Sequence, residues 1–510
     1  MTANLMSTGE SRAVPGAVTI FQVASPDLED VTRDLANLRL ADMFGAESAD
    51  GGTVLRMVWA NDTPGQAGYL ITETPIAGDE YPALSDIAPA AFVEECEIYE
   101  QFGIRPATGK PLNRMMLPPP GVLAPNTRLP TLGRGPESEP DEVRAPHTVG
   151  GQAFEFPFGP VRQVGVESIY YGLATSGEEV IDLYLFTWHK HRGLEWRLAG
   201  QTPEQAMFYA ERAEGLSSVA MAWALAAAAE AATGTAAPEP AERTRAVALE
   251  LERLYNHAAA MAALCQSTGL AVGQSAAEIA LERLLRLNAM AFGHRYLFGV
   301  VTPGGVTRAP GADAIRAELP AAYGEFTRAA DALLATNSFM DRLEATGVLT
   351  AAQARELGMV GPVARATGTT ADTRRLPVGP YQEAASVNVA TATAGDCLAR
   401  FTVMLAEAAE SVRLIGEFLD ASTSAPDEAG AAVPLPPAAG TGLGWAESPR
   451  GEALAWLALD DAGRITRARL RPGSARNWRG FDDACRSQNV FTDIPIIEAS
   501  FWLTAAGMAR

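Results

Sequence analysis

Glu214 and Ser217 stand three residues apart in YAERAEGLSSVAMA (209–222), where a charged segment gives way to an apolar run. On a helix that spacing puts both side chains on one face, so a carboxylate and a hydroxyl can share a pocket. Two chemistries follow: a carboxylate that takes up and releases protons, or part of an oxygen-ligand site for a hard cation such as magnesium. The plainer reading is an acid that complements a helix N-terminus beside a small polar filler, and one carboxylate seldom holds a metal alone. A second group, His189, His191, Arg192 and Glu195, follows a strand-like segment. It could line a proton path or face a partner, because loop ends carry function disproportionately. A third, Glu250, Arg253 and His257, is spaced by three and four in a helical pattern. That spacing suits a salt-bridged face, or a line of charges that passes protons.

The scaffold around these groups is bounded by composition. A chain of 510 residues exceeds one ordinary core, so two or three domains are expected. With 47% hydrophobic and 20% charged residues it is globular in composition. A net charge of −21 excludes a general nucleic-acid binder, which needs clustered Lys and Arg, and disfavours direct seating on anionic lipid. The apolar run VAMAWALAAAA (219–229) falls short of the roughly 18 residues a membrane helix needs and predicts a buried helix. The N-terminus lacks a basic flank followed by an apolar core, so no signal peptide is expected. Cys96, Cys265, Cys397 and Cys485 are scattered with no Cys-x-x-Cys pair. They predict reduced thiols packed in the core and no cysteine-held zinc or iron–sulfur cluster in this chain. No strand–Gly-x-Gly-x-x-Gly–helix unit marks a nicotinamide site.

Periodicity divides the chain in three. Residues 1–117 read as a small α/β domain, with a strand in AVTIFQVAS and an amphipathic helix in LEDVTRDLANLRLADMFGA. Strands in TVLRMVWAN and AGYLITETPI follow, around the turn-forming DTPGQ. Residues 118–147 contain Pro118, Pro119, Pro120, Pro125, Pro130, Pro136, Pro140 and Pro146, which predicts an extended linker. Residues 148–510 open with a hairpin around SGEE, turn helical over about 203–300 and again over 390–420, and end in strands and a helix. Val247, Leu251, Leu254, Ala258, Met261 and Cys265 form one buried stripe. The Pro/Gly/Ala-rich segment 423–444 reads as a loop. The fold class expected is α+β: a small N-terminal α/β domain and a large, mainly helical domain with β hairpins.

Two stretches carry a family resemblance. YPALSDIAPAAFVEECEIYEQFGI (81–104), continuing to NRMML, resembles the 30-kilodalton-type subunit of respiratory complex I through Glu95, Glu97, Tyr99, Phe102, Gly103, Ile104 and Arg114. HRGLEWRLAGQTPEQAMFYAERAEG, LELERLYNHAAAMAALCQSTG, LLRLNAMAFGHRYLFGVVTPGGV and GMVGPVARATG look like the 49-kilodalton-type subunit of complex I and the large subunit of membrane-bound nickel–iron hydrogenases. A fused pair of this kind is typical of formate-hydrogenlyase-type complexes. In the hydrogenases four cysteines hold the metals. Laid on this sequence, they fall on Glu214, Ser217, Thr504 and Gly507. Nickel–iron chemistry requires soft thiolates, so no metal is expected here.

In complex I the resemblance implies a quinone headgroup in the vacated cavity, served by a tyrosine and a histidine. Gly215 stands at the tyrosine position, and the turn FGPVRQVGVESIYY (158–171) has no histidine. Arg162, His189 or His191 could supply protons instead. The resemblance also suggests a cation above the cavity at Arg365, partner or rim contacts at Arg374, Arg375 and Tyr381, and partner interfaces at Glu195, Glu250, Arg253 and His257. It implies an iron–sulfur cluster in a small partner subunit, antiporter-like and anchor subunits in the membrane, and NADH chemistry, where present, in other subunits. The chain would sit in the cytoplasm, peripheral to the inner face of the cell membrane. The function expected is electron transfer toward a quinone-like acceptor coupled to ion translocation, with a non-catalytic scaffold as the alternative.

Overall fold

The strand that crosses the alanine run explains it. In the computed structural model the helix Ser218–Thr233 is buried along most of its length, and the strand Gly440–Ser448 lies across it. A Cβ at Gly440, Gly442 or Gly444 would stand 2.1 Å from the carbonyl oxygen of Ala232, Ala228 or Ala224 respectively. Glycines at every second strand position thus meet alanines at every fourth helix position, and the two backbones come together as larger side chains would forbid. The segment expected as a loop over 423–444 therefore becomes a strand at residue 440, its glycines admitting a helix rather than breaking structure.

The structure describes residues 11–14, 18–48, 51–63, 67–112, 115, 132, 153–161, 167–384, 386–421, 432–486 and 488–510. The expected linker 118–147, apart from Leu132, lies outside them, as do Arg114 and Arg162.

The N-terminal part is built on a five-stranded sheet in the order Ser11–Val14, Val18–Gln22, Gly68–Ile76, Thr53–Asn61, Arg39–Glu47. Neighbours are antiparallel except the second and third, which run parallel. The helix expected to reach residue 46 stops at Leu35, and Arg39–Glu47 is a strand with residues 40–46 all buried. The helix Phe92–Phe102 packs on one side of it and the strand Ile465–Arg471 approaches it from the large domain. A strand covered on both faces loses the alternation that betrays strands, so its apolar run imitates a helix. Phe102 lies against Gly45, where a Cβ would stand 2.7 Å from the ring, and Gly103 ends the helix at φ 75°.

In the large part the helix Glu239–Ser267 packs on the alanine helix and carries Ala271–Phe292 and Cys397–Ala421 against it, with Ala312–Leu334 packed on Ala271–Phe292. All six residues of the expected stripe on Glu239–Ser267 are buried. A three-stranded sheet pairs Gly440–Ser448, Gly451–Leu459 and Ile465–Arg471, and a second pairs Phe154–Phe158, Tyr170–Ser176 and Glu179–Phe186. Side chains of both parts share one cluster, in which Val18, Phe44, Val58 and Tyr69 meet Leu376, Leu443, Leu454 and Trp456. Together these are the mixed helices and small sheets of the expected α+β class. No helix among the described residues is long and apolar enough to cross a membrane.

Candidate functional site: a refilled centre

Glu214 and Ser217 do not sit on a helix. The short helix Pro203–Ala210 has ended, and a tight turn in which Ser217 N donates to Glu214 O (2.7 Å) precedes Ser218–Thr233. The loop is held from both ends. Tyr255 Oη and Asn256 Nδ2 of the long helix Glu239–Ser267 donate to Leu216 O at 2.9 and 2.8 Å. Arg192 donates to Arg212 O and Ala213 O at 2.7 Å each. The same guanidinium binds Ala506 O at 2.5 Å and Ala509 O at 3.2 Å, tying the loop to the C-terminal segment. Arg192 is a positioning clamp.

The turn delivers Glu214 and Ser217, both without exposed surface, to one cation. Arg450 Nη1 donates to Ser217 Oγ (2.7 Å), Nη2 to Asn256 Oδ1 (3.1 Å) and Nε to the Trp502 carbonyl (2.5 Å). Its Nε lies 3.5 Å from Glu214 Oε1. Thr504 Oγ1 donates to the same oxygen at 2.9 Å, and Ser474 Oγ makes a close contact with it. Ser474 Oγ also accepts from Thr504 N at 3.2 Å. At Gly507 a Cβ would stand 3.8 Å from Ser474 Cβ. The positions 214, 217, 504 and 507 therefore converge, filled by a carboxylate, hydroxyls and a guanidinium. Glu214 Oε2 is buried with no hydrogen-bond partner among the described residues.

Sequence reasoning missed Arg450 and Ser474. Arg450 follows the end of a strand in GWAESPRGEA, and an arginine in a hairpin between two apolar strands was the available signal. Arg365, expected above the cavity, is elsewhere. It binds Glu407 and Glu447 at 2.8 Å each and Asp372 at 3.4 Å.

That is a second buried cluster, and it takes up three residues expected at partner interfaces. Glu250 receives Tyr381 Oη (2.7 Å), Ser411 Oγ (2.6 Å) and the Arg374 and Arg253 guanidinia (3.2 and 3.1 Å). Burial alone would raise its carboxyl, but Arg374 and Arg253 bring it down to about 2. His257 Nε2 is 3.0 Å from Glu407, and burial lowers the histidine despite that partner. Glu250, Arg253 and His257 are each at most 3% exposed, so they form the buried salt-bridged face their spacing predicts and not a partner interface. A charged helix face can be buried here because every charge finds an opposite one. Glu195, the fourth, is 4% exposed and binds Arg467 (2.9 Å), Arg510 (3.1 Å) and Leu470 N (3.0 Å).

The hairpin turn joins the two clusters, with Glu447 in the second and Arg450 in the first. Between them Ser448 Oγ donates to Gly451 O (2.7 Å), and Arg253 donates to Glu447 O and Ser448 O at 2.6 and 3.1 Å. A pocket of ≈ 380 Å³ opens beside the second cluster, lined in part by Trp223, Thr373, Arg374, Tyr381, Trp445 and Glu447. His189 is exposed and edge-on to Phe186 at 4.8 Å, His191 is half-buried, and neither is a hydrogen-bond partner of Glu214. The four cysteines are buried.

Residues 278–438 match the family described as the 49-kilodalton subunit of respiratory-chain NADH dehydrogenase. Over those residues the chain is similar to that family. Formate hydrogenlyase subunit 5 of Escherichia coli is 27% identical over 444 residues, 82% of this chain and 75% of the relative. An NADH-quinone oxidoreductase subunit of a Roseiflexus species is 29% identical over 350 residues, covering 64% of this chain and 91% of the relative. Among solved structures, a chain of an archaeal membrane-bound sulfane sulfur reductase complex shares the fold of this chain. Its TM-score is 0.65 at 23% identity, covering 71% of this chain and 100% of that one.

A nickel–iron centre does not fit these residues. The donor set at the converging positions is one carboxylate and two hydroxyls with no thiolate, and Arg450 already brings a fixed positive charge among them. Among the described residues no group of three or more His, Cys, Asp or Glu is arranged to hold a metal ion.

Proposed function

We propose that this chain is the large subunit of a membrane-associated oxidoreductase complex of the complex-I-like and hydrogenase-like kind, working without a nickel–iron centre. The 49-kilodalton-type domain and the named relatives support the complex. One observation carries the rest: Arg450 bonds Ser217 and pairs with Glu214, so the protein supplies its own cation at the converging positions.

In this reading electrons from an iron–sulfur partner reach a quinone-like acceptor at the face shared with that partner. This chain converts the charge change into ion movement by membrane subunits. Glu214 is the group suited to exchanging protons, since Ser474 and Thr504 hydroxyls meet its Oε1 and its Oε2 is uncommitted. The Arg450 guanidinium, bonded to Ser217 and to the Trp502 carbonyl, holds the carboxylate in place.

A scaffold role is the second reading, favoured by the complete burial of Glu214 and Ser217. Glu214→Gln in the assembled complex separates the two. Quinone reduction should then continue while the rate of ion movement falls by about a hundredfold or more, the range that one proton-transfer group contributes. Unchanged reduction and unchanged gradient would leave the scaffold.

A further inference from the structure

The pocket of ≈ 380 Å³ beside the second buried cluster has no part in the proposed function. Three aromatic side chains line it. Trp223 of the alanine helix and Tyr381 lie nearly parallel, their ring centroids 6.4 Å apart at 22°. Trp445, half-buried on the strand Gly440–Ser448, supplies the third ring. Tyr381 is fixed by donating to Glu250, and burial followed by that carboxylate holds its phenol well above the usual value, so it stays neutral. The helix Ser218–Thr233 ends at the same pocket, which Ala231 and Gly234 also line, and a helix C-terminus carries partial negative charge.

The charged groups of the wall are unequal in sign. Glu230, Glu242 and Glu447 line the pocket with one guanidinium, that of Arg374. Arg374 is taken up by Asp372 at 2.7 Å and Glu250 at 3.2 Å, neither of which lines the pocket. Glu447 is held by Arg365 at 2.8 Å. Glu230 and Glu242 share a single arginine, Arg245, at 2.6 and 2.5 Å. Among the described residues no other cation is within ion-pair distance of either, which leaves one negative charge over at this end. Glu242 is 21% exposed. Burial raises its carboxyl, Arg245 offsets that in part and Glu230 raises it further, as befits a carboxylate short of positive charge.

We propose that this pocket binds a small organic ammonium ion, held by its three aromatic side chains and by the carboxylate pair Glu230 and Glu242. Aromatic rings attract a cation through their quadrupole, and the volume lies in the range of small-molecule sites. A bare metal ion fits less well, because among the described residues no group of three or more His, Cys, Asp or Glu is arranged to hold one. Trp445 and Glu447 belong to the strand that leads to Arg450, so the pocket and the refilled centre share one hairpin.

Tetramethylammonium is the probe. At constant ionic strength, saturation transfer from the full chain to its methyl protons should appear and level off with rising concentration. tert-Butanol, neutral and of nearly the same shape, should bind about tenfold more weakly, the scale of a partly desolvated cation–π contact. Trp445→Leu should weaken tetramethylammonium by about tenfold on the same ground. Glu242→Gln, which removes the surplus charge, should weaken it by about threefold, as for a partly exposed ion pair. No saturable transfer would overturn the proposal. Equal binding of the two probes would do so as well, since a merely apolar hole takes both, and so would an affinity unchanged in either folded variant. The two probes on the wild-type chain decide the matter even if both variants fail to fold.

Discussion

Replacing Arg450 by methionine would leave Glu214 inside the protein without the cation that faces it. Breaking a buried ion pair from one side costs about 3–5 kcal/mol, so Arg450→Met should lower unfolding free energy by that order in a denaturant titration. The double variant Arg450→Met with Glu214→Leu should recover much of the loss, because an apolar pair carries no desolvation penalty.

A second buried carboxyl gives a pH signature. Glu252 accepts from Val219 N, Ala220 N and Ser218 Oγ, yet burial pushes it from an ordinary 4.5 to about 8. Between those values the folded protein keeps a proton the unfolded chain has released, so this group's contribution to stability falls as pH rises. Glu252→Gln should flatten the decline in melting temperature between pH 5 and pH 8. An unchanged profile would show that Glu252 does not titrate there. At this scale Glu214, Ser217 and Thr504 were legible because their positions replace ligands in a recognisable motif. Arg450 and Ser474 were not, because their partners lie 236 and 260 residues away in sequence and no local pattern encodes such a pairing.

At the scale of elements, the packing of Gly440–Ser448 on the alanine helix makes a sharp contrast between two glycine substitutions. Gly442→Ala would place a methyl 2.1 Å from Ala228 O and should cost about 1–3 kcal/mol or more, as overpacking does. Gly416→Ala, on the exposed side of the helix Cys397–Ala421 with nothing within 4 Å, should instead stabilise by about 0.5–1 kcal/mol through helix propensity. Thermal unfolding of the two variants beside the parent checks both signs. The long helices and the hairpin Tyr170–Phe186 were readable because their periods of 3.6 and 2 survive in the sequence. The strands Arg39–Glu47 and Gly440–Ser448 hid, one because both faces are buried and the other because its small residues imitate a loop.

Across the whole molecule the two parts are joined by ions as well as by apolar contact. Arg469 reaches Asp42 and Glu97, and Arg510 binds Glu97 at 2.7 Å and Glu195 at 3.1 Å. Arg469→Met should strand the buried carboxylate of Asp42 and leave Glu97 to Arg510 alone, destabilise by about 3–5 kcal/mol and increase proteolytic cleavage between the parts, read by limited proteolysis. The seam was not legible in the sequence, because its arginines and acids look there like ordinary surface charge.

At the converging positions Glu214, Ser217, Thr504 and Arg450 bond among themselves, which leaves a nickel ion no thiolate and no vacant cation place. Metal analysis of the intact complex, purified under anaerobic conditions and normalised to this chain, is the decisive measurement. Nickel should come out far below one atom per chain; one nickel per chain, lost on mutating Glu214, would mean that these residues hold the metal after all.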